Sequence, residues 1–238
     1  MLSSIFSLDG IMSFLTLTVM EIVLGIDNII FISILTSRIK QEQRSKVRLL
    51  GLSLALVVRL VLLGLLNQMS HIESTLFSLG KFDFAIKNLI FFAGGLFLIY
   101  KSTSEIHSSI SGEDEMEESK KKHLSVGAAI LQIILLDLVF SFDSILTAVG
   151  LSGEMVIMSL AVFISMLIML FASKGISKFI NDNPSVKILA LSFLMTIGVM
   201  LVAEAFHQEI PKGYIYYSLA FSLVVEALNL RAKKNKKS

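Results

Sequence analysis

The first long apolar run of the chain contains the segment Glu21-Ile22-Val23-Leu24-Gly25-Ile26-Asp27-Asn28-Ile29, in which two carboxylates interrupt hydrophobic sequence. A second segment, Asp137-Leu-Val-Phe-Ser-Phe-Asp143-Ser144-Ile145, repeats the order of residue types: acid, three apolar residues, a small residue, an apolar residue, aspartate, a small polar residue and isoleucine. Carboxylates are costly to place in hydrocarbon, so two copies in register are unlikely to arise from composition alone. We therefore predict that the two segments form one site.

The composition is that of an integral membrane protein. Of 238 residues, 54% are hydrophobic and 17% are charged, and the mean hydropathy is +0.78. A soluble domain is less apolar and carries about a quarter charged residues. The charges lie between long uncharged windows, which is typical of membrane spans of roughly 20 residues. The sequence thus predicts a lipid bilayer as its surroundings and shows no basic face for nucleic acid.

Several kinds of site are excluded by residue content. The chain has no cysteine, which removes disulfides, thiolate metal sites and cysteine nucleophiles. Its four histidines are scattered along the sequence and form no histidine-rich metal motif. Any ion site must therefore be built mainly from oxygen atoms.

Seven apolar windows predict an all-α polytopic bundle with seven transmembrane helices. They cover about Ile11–Leu35, Leu49–Leu66, Ala85–Tyr100, Leu124–Leu151, Val156–Ser173, Val186–Phe206 and Tyr214–Leu230. The runs are too continuous for the alternating pattern of a membrane β-barrel. Seventeen Lys and Arg residues fall in the loops and tail on one side of this topology and three fall on the other. The positive-inside rule then places the N-terminus outside and the C-terminus in the cytoplasm.

The order of the spans predicts an inverted repeat. The two acidic segments lie in the first and fourth spans, so their helices run in opposite directions through the membrane. Weaker similarity extends to later spans, where Gly95-Leu-Phe-Leu-Ile-Tyr-Lys101 aligns with Gly198-Val-Met-Leu-Val-Ala-Glu204 and Ser53-Leu-Ala-Leu-Val-Val with Ser159-Leu-Ala-Val-Phe-Ile. Secondary transporters commonly have such repeats, with the site near the membrane midplane.

The repeat predicts four segments along the chain. Residues 1–101 form a first three-helix repeat, residues 102–123 a cytoplasmic linker, residues 124–210 a second three-helix repeat, and residues 211–238 a seventh helix with a basic tail. The linker carries an acidic cluster followed by three lysines. It is interpreted as a solvated connection, with an ion-capturing or regulatory loop as the alternative.

Helix geometry leaves two arrangements of the acids open. On a regular helix Glu21 and Asp27 lie roughly 120° apart, whereas Glu21 and Asn28 share a face, as do Asp137 and Ser144. Either the helix is regular and Asp27 points elsewhere, or the helix loosens near Gly25, and near Ser141 in the second copy. A loosened turn would bring backbone carbonyls and both carboxylates together, which is tolerated where backbone lines a polar cavity.

The predicted site contains only hard oxygen donors. Its residues are Glu21, Asp27, Asn28, Asp137, Asp143 and Ser144. Such donors suit Mg²⁺, Ca²⁺ or Mn²⁺. Protons and metal would compete for the same carboxylates, which allows proton-coupled exchange. Arg59, midway along the second span, is the expected charge partner of one acid, and the roles of Glu204 and Glu226 stay open.

These residues carry a resemblance to the TerC family of integral membrane proteins, especially its short bacterial members. The segments concerned are Glu21-Ile-Val-Leu-Gly-Ile-Asp27-Asn28-Ile-Ile-Phe31, Leu136-Asp137-Leu-Val-Phe-Ser-Phe-Asp143-Ser144, Asn183-Pro184-Ser-Val-Lys187 and Pro211-Lys-Gly-Tyr-Ile-Tyr216. The resemblance implies a seven-helix bundle of the lysine-exporter-like superfamily in the bacterial inner membrane. It also implies manganese export, with the six predicted site residues as the ion path.

Three functions are compared on this basis. The leading hypothesis is an exporter of a divalent cation, Mn²⁺ by the resemblance, that works by alternating access. The alternative is a membrane assembly or scaffold factor in which the acids only hold helices together. An intramembrane hydrolase with paired aspartates is the weakest hypothesis, because the duplicated flanking residues suit a symmetric ion site. The chain is therefore not expected to be an enzyme, and its oligomeric state is left open.

Overall fold

The computed structural model describes residues 7–68, 77–79, 82–111, 124–152, 154–208 and 210–235. The helices are α1 (Leu8–Leu24), α2 (Ile26–Ser37), α3 (Gln41–Gln68), α4 (Ile86–Ile110), α5 (Val126–Ser152), α6 (Met155–Asp182), α7 (Pro184–Ala205) and α8 (Lys212–Asn235). Two short antiparallel strands, β1 (Phe77–Leu79) and β2 (Phe82–Phe84), precede α4. The prediction of an all-α membrane protein is confirmed, apart from this small hairpin.

Each of the seven predicted windows contains a helix. Within the described residues, six helical segments are long and apolar enough to cross a membrane, and the first of them, Leu8–Ser37, combines α1 and α2. The remaining window, the fourth in chain order, contains the shorter apolar helix Val126–Phe142, which is part of α5. Many large apolar side chains lie on the outer faces of these helices, as expected for contact with lipid. The repeat and the orientation remain predictions.

The first helix is interrupted at Gly25, as the second of the two predicted geometries requires. Gly25 has φ −92° and ψ 0°, and its N–H points to the carbonyls of Glu21, Ile22 and Val23. The interruption is small, because the Gly25 N–H to Glu21 O bond survives at 2.9 Å and Ile29 N–H bonds to Gly25 O at 3.3 Å. The hydrogen bonds on both sides of Gly25 therefore persist, and the chain does not unwind there.

The matching position in the second segment behaves differently. α5 continues through Ser141 without a break. The Ser141 hydroxyl lies within hydrogen-bond distance of the Asp137 carbonyl oxygen, one helical turn earlier. A serine hydroxyl bonded to the i−4 carbonyl is satisfied within its own helix, so Ser141 needs no hydrogen-bond partner outside α5. The predicted loosening thus occurs at Gly25 and not at Ser141.

The chain divides into two compact units. The first unit contains α1, α2, α3, α5 and α6 as far as Phe179, and the second contains the hairpin, α4, α7 and α8. Each unit therefore combines helices from both predicted repeats, and the division by repeat stays a prediction. α4 continues to Ile110, so the beginning of the predicted linker is helical, while residues 112–123 lie outside the described residues.

α2 is the core helix of the first unit. Its residues from Asp27 to Thr36 are all buried, which is the pattern of a helix surrounded by other helices. At its C-terminal end the Arg44 guanidinium donates to the carbonyls of Ser37 and Ile39, at 2.8 and 2.9 Å. These bonds satisfy backbone oxygens that a helix end otherwise leaves without partners.

The second unit is centred on a close crossing of α4 and α7. A Cβ atom at Gly95 would lie 2.6 Å from the Gly198 carbonyl oxygen, and one at Gly198 would lie 2.9 Å from the Gly95 carbonyl oxygen. Only glycine allows the backbones to approach this closely. Asn88 adds a polar link, because its side-chain amide donates to Ala205 O at 3.1 Å and accepts from Ala85 N–H at 2.9 Å.

Candidate ion site in the first unit

The centre of the first unit is a buried ion-pair network. The Arg59 guanidinium, on α3, donates from Nη1 to Glu21 Oε2 and from Nη2 to Asp137 Oδ1, both at 2.7 Å. Arg59 is 2% exposed, Glu21 3% and Asp137 4%. Asn28 donates from Nδ2 to the same Asp137 Oδ1 at 3.0 Å. These four residues are called the acid–arginine cluster below.

Four helices bring this cluster together, and the first two of them meet at the interruption at Gly25. Glu21 is in the last turn of α1 and Asn28 is in the first turn of α2, so they flank Gly25 at positions i−4 and i+3. Residues at these spacings lie on one face of a helix. That face meets Arg59 from α3 and Asp137 from α5. The cluster therefore joins the first acid of each sequence segment through a single arginine.

Two donors and a neighbouring hydroxyl group surround the Asp137 carboxylate. Its Oδ1 accepts from Arg59 and Asn28, and its Oδ2 lies 3.1 Å from the Ser141 hydroxyl. Hydrogen bonds to an ionised carboxylate are stronger than those between neutral groups. The position of Asp137 is consequently fixed from α2, α3 and its own helix. The contribution of Ser141 was missed by the sequence-based prediction, although the spacing of four residues would have indicated it.

The other predicted site residues have mixed outcomes. Asp27 is 3% exposed and lies in the first turn of α2, where the helix dipole favours a negative charge. Ser144 is buried, and its hydroxyl donates to the Ser141 carbonyl at 3.2 Å. Asp143 is in α5, but its side chain lies outside the described residues. Glu204 and Glu226 belong to the second unit.

The carboxylates of the cluster surround an arginine instead of an open space. Within the described residues, no three histidine or carboxylate side chains are grouped closely enough to hold a metal ion. One acceptor nonetheless stays unused: the buried Asn28 Oδ1 accepts no hydrogen bond from any residue that the structure describes. A buried carbonyl oxygen of this kind usually has a partner, so it is suited to receive a cation or a proton donor.

A protein-family model described as the integral membrane protein TerC family matches residues 6–238. The inner membrane protein YgdQ of Escherichia coli (strain K12) is 48% identical over 221 residues, which cover 92% of each chain. A protein of Haemophilus influenzae is 44% identical over 222 residues, covering 93% of this chain and 94% of its own length.

The longer inner membrane protein YoaE of Escherichia coli (strain K12) is 46% identical over 221 residues. Here the match covers 93% of this chain but only 43% of YoaE, so the chain spans less than half of that relative. No solved structure shows a significant match. The relatives and the membrane-spanning helices together indicate a multi-pass protein of the inner membrane. With a family model that matches almost its whole length, the chain belongs to the TerC family of integral membrane proteins.

Proposed function

We propose that the chain exports a divalent metal cation through the acid–arginine cluster and the adjoining Asp27, with Mn²⁺ as the substrate expected from the TerC resemblance. The observation that supports this most is a charge imbalance inside the first unit. Glu21, Asp27 and Asp137 are all buried, and Arg59 is the one buried cation among the described residues. Counted as ionised, these three carboxylates would carry two more negative charges than the Arg59 guanidinium neutralises.

A dication would balance this excess. Two protons would balance it equally, because protonation of two carboxylates also brings the net charge of the described groups to zero. Exchange of one dication for two protons would therefore keep the interior neutral in both loaded states. Uncompensated charge is costly in a membrane interior, so neutrality in both states favours proton-coupled transport.

In this proposal the two acids of each segment have different tasks. Arg59 holds Glu21 and Asp137, whose carboxylates fix the geometry of the crossing helices. The cation would be bound by Asp27 and Asn28 Oδ1, joined by Asp143 and Ser144 from the predicted second half of the site. All these donors are oxygen atoms, which suits a hard divalent cation.

Alternating access would use the predicted inverted repeat. Gly95 and Gly198 occupy equivalent positions in that repeat, and each lies against the carbonyl oxygen of the other. Mutual contact between equivalent residues is what a pseudo-twofold axis between α4 and α7 would produce. The distribution of Lys and Arg predicts that the N-terminus is outside. The TerC resemblance implies that substrate would pass from the cytoplasm to the exterior.

The test is metal flux into liposomes that contain the purified protein. Wild type should move Mn²⁺ in a pH-dependent manner, and Asp27→Asn and Asp143→Asn should reduce the rate at least about tenfold, since each removes a charged ligand. Asp182→Asn, which changes an exposed carboxylate, is the matched control. In cells, deletion should raise manganese content and sensitivity, and Asp27→Asn should fail to restore either. Normal flux by both site variants would refute the proposed site.

A second function is favoured by the same ion pairs. Arg59 cross-links α1 and α5 through two short bonds, which is what a scaffold protein would need in order to hold its helices. A scaffold should show no flux for any cation between acidic and alkaline pH, while Arg59 variants still unfold more readily. Metal-dependent flux by the wild type excludes this alternative.

A further inference from the structure

A cavity of about 360 Å³ lies between α7 and α8 in the second unit. Half of its lining residues are apolar, and the polar ones are Ser185 and Ser192 on α7 and Ser222 and Glu226 on α8. None of these residues belongs to the acid–arginine cluster of the first unit. The cavity is therefore a separate feature of the molecule.

Glu226 is the one charged residue among the described residues that line this cavity. Its Oε1 atom is buried and accepts no hydrogen bond from any residue that the structure describes. Its Oε2 atom accepts from Asn229 Nδ2 at 3.4 Å, which is a long and weak bond. A carboxylate within a membrane span needs a partner, because an uncompensated charge there is costly. The lining thus offers a negative charge to a cationic ligand.

The polar residues of the lining are divided between the two ends of the cavity. The Phe193 and Tyr216 rings lie 6.0 Å apart, which brings these two positions to the same level. Because α7 and α8 are antiparallel neighbours, Ser185 lies about 12 Å from that level along α7, and Glu226 lies about 15 Å from it in the same direction along α8. Ser192, next to Phe193, is at the opposite end.

The end that carries Glu226 lies near a membrane surface. Ser185 is the second residue of α7, and Glu226 is five residues before Arg231, the penultimate residue of the last apolar span. Phe221 is 71% exposed and Val225 40%, so lipid can reach the cavity from the side of α8. A carboxylate near the surface and apolar walls at greater depth match a phospholipid with a cationic headgroup, whose acyl chain extends toward the membrane centre.

We propose that this cavity is a binding site for phosphatidylethanolamine. The primary ammonium of this headgroup has three N–H donors, and the Glu226 carboxylate and the Ser222 and Ser185 hydroxyls are acceptors for them. Ser222 precedes Glu226 by four residues, so both lie on one face of α8. The choline headgroup has no N–H donor and the glycerol headgroup has no positive charge. The lining therefore favours ethanolamine over both.

The competing interpretation is that acyl chains fill the cavity without any contact of their headgroup with Glu226. The two interpretations differ in how binding depends on the headgroup when the acyl chains are the same. Acyl-chain filling gives equal affinities, whereas a charge-assisted bond to the carboxylate gives a preference for the primary ammonium.

The experiment measures lipid affinity by native mass spectrometry of delipidated full-length protein in detergent. The lipids are phosphatidylethanolamine, phosphatidylcholine and phosphatidylglycerol with identical acyl chains. Wild type should bind phosphatidylethanolamine at least about fivefold more tightly than either of the others, because only this lipid makes charge-assisted bonds to Glu226. Glu226→Gln should abolish the preference, and Ser222→Ala should lower it at least about twofold.

Two control variants should leave the preference unchanged. Ser192→Ala removes a hydroxyl from the opposite end of the same cavity, where it already donates to Ile188 O at 2.9 Å. Glu42→Gln neutralises an exposed carboxylate in the first turn of α3. A loss of preference in either control would contradict the assignment to Glu226 and Ser222.

The wild-type comparison needs no variant. Equal affinities for phosphatidylethanolamine and phosphatidylcholine would overturn the proposal, as would a preference that persists in Glu226→Gln. Soluble glycerophosphoethanolamine is a further probe: if it binds as tightly as the intact lipid, the occupant is a water-soluble amine and the lipid site is refuted. Because no residue of the ion site is involved, each of these results leaves the test of metal transport unaffected.

Discussion

Replacing Arg59 by methionine removes the guanidinium that holds two buried carboxylates and keeps most of the side-chain volume. Glu21 and Asp137 each lose a 2.7 Å charge-assisted bond. Bonds to charged groups are worth about 1.5–3 kcal/mol each, which gives roughly 3–6 kcal/mol for the pair. Removal of one partner from a buried ion pair costs about 3–5 kcal/mol. This value agrees with the sum of the two hydrogen bonds as an estimate of the lost free energy of unfolding.

The assay is thermal unfolding of purified protein in detergent, followed by circular dichroism. For a chain of this size about 1 kcal/mol corresponds to roughly 2–4 °C, so Arg59→Met should lower the apparent Tm by roughly 6–20 °C. Arg59→Lys should recover only part of this loss, because an ammonium group cannot present two parallel N–H donors to two carboxylates.

Two further variants test the physical reason. Arg48→Met changes a half-exposed arginine on the same helix and should alter the free energy of unfolding by no more than about 0.5 kcal/mol. The triple variant Glu21→Gln, Arg59→Met, Asp137→Asn removes all three charges and should be more stable than Arg59→Met alone. The reasoning is wrong if Arg59→Met unfolds within about 1 kcal/mol of wild type, or if the triple variant is the less stable of the two.

Three other predictions concern helix contacts. Gly95→Ala should destabilise by about 1–3 kcal/mol in thermal unfolding, because its Cβ would overlap a backbone carbonyl of α7, whereas Gly175→Ala, whose Cβ meets nothing within 4 Å, should be neutral or stabilising. Asn88→Leu should cost about 1–3 kcal/mol, since Ala205 O and Ala85 N–H both lose a partner; equal stability would contradict this. A double-mutant cycle of Ser33→Ala and Ser177→Ala should give a coupling of roughly 0.6 kcal/mol, and additive effects would show that their 2.7 Å bond contributes nothing.

The elements of the fold were predictable because hydrophobicity is a local property of the sequence. A membrane span needs an apolar run of sufficient length, and all seven windows contain helices in the structure. The spacing of Glu21 and Asp27 allowed two geometries to be predicted, a regular helix and a helix interrupted near Gly25. That spacing could not show that α5 continues unbroken through Ser141, because the acids have the same spacing in both segments.

The chemistry of the candidate site was only partly predictable. The acids of the site could be identified from the sequence, and the absence of cysteine restricted the expected metal donors to oxygen. Arg59 was expected to neutralise one acid. The structure places Arg59 between two acids, so the first residue of each segment is engaged by a cation that belongs to the protein.

The sequence by itself determined that this chain is a membrane protein. It also determined the positions of the spans and the two segments that carry buried acids. Only the tertiary structure decided which charges meet. The contacts of the acid–arginine cluster join residues separated by 38, 78 and 109 positions, and each depends on where helices cross. Local patterns cannot encode such crossings, because they follow from the packing of helix faces in three dimensions.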